Sequence, residues 1–174
     1  MFHPDTQHTL GLWLSLADRT GGVPARRDLD PTTLGARLTR VFVVDSAVAS
    51  LPIRLAGDWI EAVHARPLGG TPFAELWHKE SRPQVCAAVL RTVREGRPVV
   101  LTAAFESQAV QMTLAPFRSS SGAVDRLVGS YGPERSLVFA PRATRDLSLL
   151  DVQAIGAPRR PALNLATRHG RRVA

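Results

Sequence analysis

"RPVVLTAAFESQAVQMTLAPFRSSSGAVDRLVGSYG" (Arg97–Gly132) carries the reading of the fold. Successive side chains of a strand point to opposite faces, so a period of two is the signature to look for. Val99, Leu101, Ala103 and Phe105 share one face of the first run. Val110, Met112 and Leu114 share one face of the second, against Gln111 and Thr113. The loop "RSSSGAVD" interrupts the pattern, and "DRLVGSYG" supplies a third run. Three strands in immediate succession predict an antiparallel meander.

Upstream, "SRPQVCAAVLRTVREG" (Ser81–Gly96) is the clearest helix. Ser81 stands at its cap, Val85, Ala88, Val89 and Val93 form one apolar face, and Gly96 ends it. Before it, "VFVVDSA" (Val41–Ala47) and "LPIRLAG" (Leu51–Gly57) predict a hairpin, the second strand setting Ile53 and Leu55 against Arg54 and Ala56. "DWIEAVHA" (Asp58–Ala65) begins with an Asp and has Glu61 three residues later, the spacing of a capping box. In "GGTPFAELW" Thr71 caps another short helix opened by Pro72. At the N-terminus, Leu10, Trp13, Leu14 and Ala17 recur at helical spacing over residues 6–19. Thr6 or Asp5 caps that helix and "TGG" (Thr20–Gly22) ends it. Together these elements predict an α+β fold: a five-stranded antiparallel sheet with helices on one face and a flanking N-terminal helix. The divisions are residues 1–40 for the helix and lead-in, 41–140 for the domain, and 141–174 for a basic extension. In that extension Leu147, Leu149, Leu150, Val152 and Ile155 can pack back on the body. Residues from Ala157 onward have little to bury and read as mobile.

The net charge of +7 is concentrated there, because seven arginines face only Asp146 and Asp151 beyond Pro141. Those arginines have no interleaved aromatic residues, which argues against a nucleic-acid surface. No apolar run reaches the roughly 20 residues of a membrane span, and the first residues lack the layout of a secretory signal. The single cysteine, Cys86, excludes an internal disulfide and an all-cysteine metal site. A cytoplasmic protein is expected.

The segments "LWLSLADRTGGVPARRDLDPTTL", "RLAG", "LGGTPFAELW" and "RLVGSYGP", in that order, resemble the alphaproteobacterial PAS_5 group of PAS domains, also known as DUF1457. The likeness covers Leu10 to Leu150. It implies two strands, a helical connector and a three-stranded meander enclosing a ligand space. Ile53, Leu55, Trp59, Val63, Phe73, Leu76, Val89, Leu101, Val110 and Met112 are the candidates to line that space. The segment "DWIEAVHARPLGG" departs from the group, and the bulk of Trp59 and Phe73 is expected to fill most of the space. Haem-binding PAS domains use a histidine of the helical region, which draws attention to His64 and His78. Cys86 lacks the Asn-Cys-Arg-Phe setting of the flavin light sensors.

No chemistry of catalysis stands out. "GSYG" (Gly129–Gly132) lacks the spacing of a nucleophile elbow. The histidines at 3, 8, 64, 78 and 169 have no metal-ligand spacing. Phosphate-loop and dinucleotide fingerprints are missing. Neither catalytic residues, a metal nor a cofactor is therefore assigned.

"VPARRDLDP" (Val23–Pro31) reads as a stiff entry to the domain, with Pro24 and Pro31 fixing the backbone and Asp30 capping. Arg26 and Asp28 pair with each other or with Arg54 in that reading, and partner recognition is the alternative. Leu12 and Leu16 lie off the stripe of Leu10, Trp13, Leu14 and Ala17, so they are the candidates for a homodimer or a protein partner. The resemblance implies a role in bacterial signalling. With no catalytic signature beside it, the expected function is a single-domain regulatory protein that works by protein contact, with gating by a small ligand as a further expectation. The alternatives are a cofactor-holding sensor and, last, a nucleic-acid regulator working through the tail.

Overall fold

The computed structural model describes residues 1–105, 108–133 and 146–156. The expected tail from Ala157 lies outside the described residues. Helix α1 spans Pro4–Thr20, and strands β1 (Val41–Asp45) and β2 (Ile53–Ala56) follow a 3-10 segment at Pro31–Arg40. Helix α2 (Asp58–His64), a 3-10 turn at Phe73–Leu76 and helix α3 (Arg82–Glu95) form the connector. Strands β3 (Val99–Phe105), β4 (Gln108–Arg118) and β5 (Val124–Pro133) are the expected meander. A sixth strand, β6 (Ser148–Ala154), pairs antiparallel with β3, so the sheet order is β2-β1-β5-β4-β3-β6. The count of five strands is thus corrected to six among the described residues. Residues past 140 are partly sheet, because Leu147 is fully buried and ties β6 to the connector beside Trp77.

The alternation along the meander holds. Val99, Leu101, Ala103, Phe105, Val110, Met112 and Leu114 all join one core with Ile60, Val63, Val85 and Val89 of α2 and α3. Ala115, Phe117 and Val128 point the other way and form a second core with Trp13, Leu16 and Ala17 of α1. Helices therefore cover both faces of the sheet, where one covered face was expected.

Two local expectations fail, one to a covering neighbour and one to a bulge, neither of which sequence alone shows. Leu16 is only 2% exposed, while Leu14 is 43% exposed. The side of α1 that carries Leu12 and Leu16 is occupied by the lead-in segment, through Leu29 and Leu34. Leu16 is thus core, Leu12 packs partly against it, and neither offers a free docking face. In β2, Leu55 is 55% exposed. Val43 pairs with Leu55 and Val44 with Ile53, a bulge that leaves Arg54 unpaired and turns Leu55 outward.

The caps also differ in detail. His3 caps α1, its Nδ1 accepting from the Asp5 amide at 3.1 Å. Gly21 and Gly96 close α1 and α3 in left-handed conformation. Asp30 accepts from the Thr32 amide, as its place before Pro31 predicts. The cap of α2 is Gly57 rather than Asp58, and Glu61 instead accepts from the Leu68 amide at 2.9 Å. Ser81 stands at the start of α3, but its hydroxyl accepts from the Leu149 amide and so anchors β6. Pro72, not Thr71, precedes the short 3-10 turn.

Candidate functional site

The residues "GSYG" on β5 organise the space between sheet and connector. Gly129 and Tyr131 face inward, and Ser130 and Gly132 face α1. A Cβ on Gly129 would overlap the ring of Phe42, its cross-strand partner, so glycine lets Phe42 lie flat over β5. Phe42 then stacks on Phe73 at 5.8 Å and meets the edge of Tyr131 at 5.6 Å. On the outer face the Ser130 hydroxyl bonds the Thr9 hydroxyl at 2.8 Å, and His3 covers Gly132.

Tyr131 is fully buried, and its hydroxyl lies 3.0 Å from Nε2 of the equally buried His64. Burial pushes the phenol well above its ordinary pKa, which keeps it neutral. The His64 ring also meets Phe105 edge-on at 5.4 Å. The centre of the domain is therefore a buried polar pair enclosed by aromatic side chains.

Trp59 links this centre to the surface. Its ring stands edge-on to Tyr131 at 6.2 Å, and the Arg40 guanidinium lies 5.2 Å from its centroid. Arg40 in turn binds Asp5 of α1 at 2.7 Å, and Arg37 binds the same carboxylate at 3.0 Å. Burial acts to raise the Asp5 pKa, but the hydrogen bonds from Arg40 and Arg37 outweigh it and hold the carboxyl below its usual range. Around Asp5 the contact between α1 and the sheet is polar. Thr6 and Thr9 of the helix are buried against β4 and β5, and the Thr6 and Thr113 hydroxyls lack hydrogen-bond partners among the described residues.

Of the ten expected lining residues, Ile53, Val63, Phe73, Leu76, Val89, Leu101, Val110 and Met112 come together in one buried cluster. Trp59 sits at its edge, half-buried, and Leu55 is excluded. The largest fully buried side chains there are Trp77, Tyr131, Phe42 and Phe73, so Trp77 and Tyr131 take the filling role expected of Trp59. Sequence reasoning missed Phe42, Trp77 and Tyr131, although a strand tyrosine between two glycines was a usable signal. Arg26 and Asp28 do not pair with each other. Asp28 accepts from the Ala25 amide at 2.8 Å and Arg26 reaches Asp125 at 3.4 Å. Arg54 binds Asp45 instead. His78 is exposed, and Cys86 is half-buried on α3. Among the described residues no cluster of three or more His, Cys, Asp or Glu is placed to hold a metal, and no helix is long and apolar enough to cross a membrane.

A family model described as PAS domain, PAS_5, matches residues 1–132. No curated protein matches the chain. Among solved structures, a light-oxygen-voltage domain studied with a flavin analogue is 15% identical over 60% of this chain and 84% of its own, with a TM-score of 0.50. The light state of the Aureochrome1 LOV domain is 15% identical over 62% of this chain and 90% of its own, at a TM-score of 0.47. The Rhodobacter sphaeroides LOV protein is 18% identical over 56% of this chain and 60% of its own, also at 0.47. At 15% identity the likeness to the domain studied with a flavin analogue is one of fold.

Proposed function

Because the chain belongs to the PAS_5 family of PAS domains, we propose that it is a sensor module of bacterial signalling that acts in the cytoplasm by contact with a partner protein, and not as an enzyme. PAS domains are sensory folds, and the residues here suit a module that passes the state of its interior to its flanking helix. One observation carries the reading: the unbroken line of contacts from His64 and Tyr131 through Trp59 and Arg40 to Asp5. A small, largely apolar ligand with one hydrogen-bonding group would meet the His64–Tyr131 pair. Any shift of Tyr131 presses on Trp59, then on Arg40, and so changes the hold on Asp5. The polar seam around Thr6 and Thr9 makes the first half of α1 the part that releases most readily. A released α1 is the surface offered to the partner, which in a homodimer is a second copy.

Hydrogen exchange of the α1 amides tests this. Tyr131→Phe removes the hydroxyl while keeping the ring, and Trp59→Leu removes the cation–π contact. Both are expected to raise exchange over residues 5–10 more than in α3. Unchanged protection in α1 for both variants, in proteins that remain folded, would refute the relay. A cofactor-holding sensor is the second reading, favoured by His64 within the aromatic enclosure, and mass spectrometry of the protein after denaturing extraction separates the two.

A further inference from the structure

We infer that a cleft beside "VPARRDLDP" binds a phosphate monoester or free phosphate. The cleft, of about 270 Å³, lies at the opposite end of the lead-in from Asp5 and is lined by Ala25, Arg26, Arg27, Arg118, Ser119 and Ser120. Its geometry is built rather than incidental. Ala25 bridges to Arg118 in parallel, the Arg118 amide donates to the Pro24 carbonyl at 2.9 Å, and Arg118 Nε donates to the Val23 carbonyl at 2.7 Å. The lead-in is thereby fixed along the end of β4, and Arg26 and Arg27 are set beside Arg118.

The charge balance of the cleft is positive and partly unspent. Asp28 is turned back to the Ala25 amide. Asp125 meets Arg26 at 3.4 Å and Arg126 at 3.6 Å through Oδ2, while its Oδ1 is buried without a hydrogen-bond partner among the described residues. Among the described residues Arg27 and Arg118 have no carboxylate partner, and the Arg118 head keeps its terminal nitrogens beyond the bond to Val23. The β4–β5 turn adds hydroxyls. Ser119 is bonded to Ser121 at 2.7 Å, while Ser120 is exposed and makes no bond among the described residues.

Two guanidinium forks and a hydroxyl suit an oxyanion with three acceptor oxygens, which is phosphate chemistry; one fork already satisfies a carboxylate. The volume falls just under the roughly 300–1,000 Å³ of pockets that enclose drug-sized ligands, so the group carried on the phosphate is small.

Calorimetric titration of the full chain with inorganic phosphate, at ionic strength held constant with chloride, tests the inference. Saturable one-site binding is expected, with acetate at least about tenfold weaker. Arg27→Ala, an exposed position outside the Arg118 scaffold, is expected to weaken phosphate about tenfold or more. Ser120→Ala is expected to weaken it by a smaller factor, and Arg94→Ala on α3 to leave it unchanged. Absence of saturable binding overturns the site. Equal affinity in Arg27→Ala and the unaltered chain, or equal loss in Arg94→Ala, does so as well.

Discussion

Glycines at two positions of this chain answer the same substitution in opposite ways. Gly129 lies beneath Phe42, and a methyl there must push that ring off Phe73 and Tyr131. Overpacking of this kind costs about 1–3 kcal/mol. Gly11 sits exposed on α1, where an added methyl would meet nothing within 4 Å, so there alanine only removes the backbone entropy cost of glycine. Gly129→Ala is therefore expected to lower the urea midpoint, and Gly11→Ala to raise stability by about 0.5–1 kcal/mol. Equal shifts for the two would show that Phe42 has room to move.

Helix α1 shows the same logic over seventeen residues. Its C-terminal half is held by an apolar seam, where Trp13 adds a hydrogen bond from Nε1 to the Pro116 carbonyl at 2.7 Å. Leu16 is shut between sheet and lead-in, and Leu14 is 43% exposed. Leu16→Ala is expected to cost about 2–5 kcal/mol. Leu14→Ala stays within about 0.5 kcal/mol. Denaturant titration of both variants measures the difference, and a reversed order would place the helix on the sheet by another face. The first half of α1, with Asp5, Thr6 and Thr9 against a polar patch, is the weaker attachment.

At the scale of the molecule, Asp5 of α1 binds the lead-in through Arg37 and Arg40, and Arg40 in turn lies over Trp59 of the connector. The depressed pKa of Asp5 makes this junction dependent on pH. A carboxyl held below its unfolded value stabilises the fold above that unfolded value, and the contribution is lost as pH falls through the folded one. Asp5→Asn is expected to cost about 1–3 kcal/mol near neutrality. The gap to the unaltered chain should close in acid, below the ordinary carboxylate value of 3.8. Thermal melts of both proteins from neutral to acid pH check this, and a gap independent of pH would remove Asp5 as the titrating group.

How far sequence reaches can be read from these same residues. The faces of β3 and β4, the ends of α1 and α3 at glycine, and the cap at Asp30 were legible because each depends on residues adjacent in the chain or one turn away. The family was legible for a related reason, since its motifs are short and keep their order. Tertiary structure decided what depends on a distant neighbour. The lead-in covers Leu16, and the bulge opposite Val43 and Val44 turns Leu55 out. Leu147 carries a sixth strand to β3, and Phe42 crosses Gly129. The line from Tyr131 to Asp5 joins residues 126 positions apart, with contacts set only when helix, connector and sheet pack together. Local pattern determines which face of an element is apolar; only packing determines what lies against it.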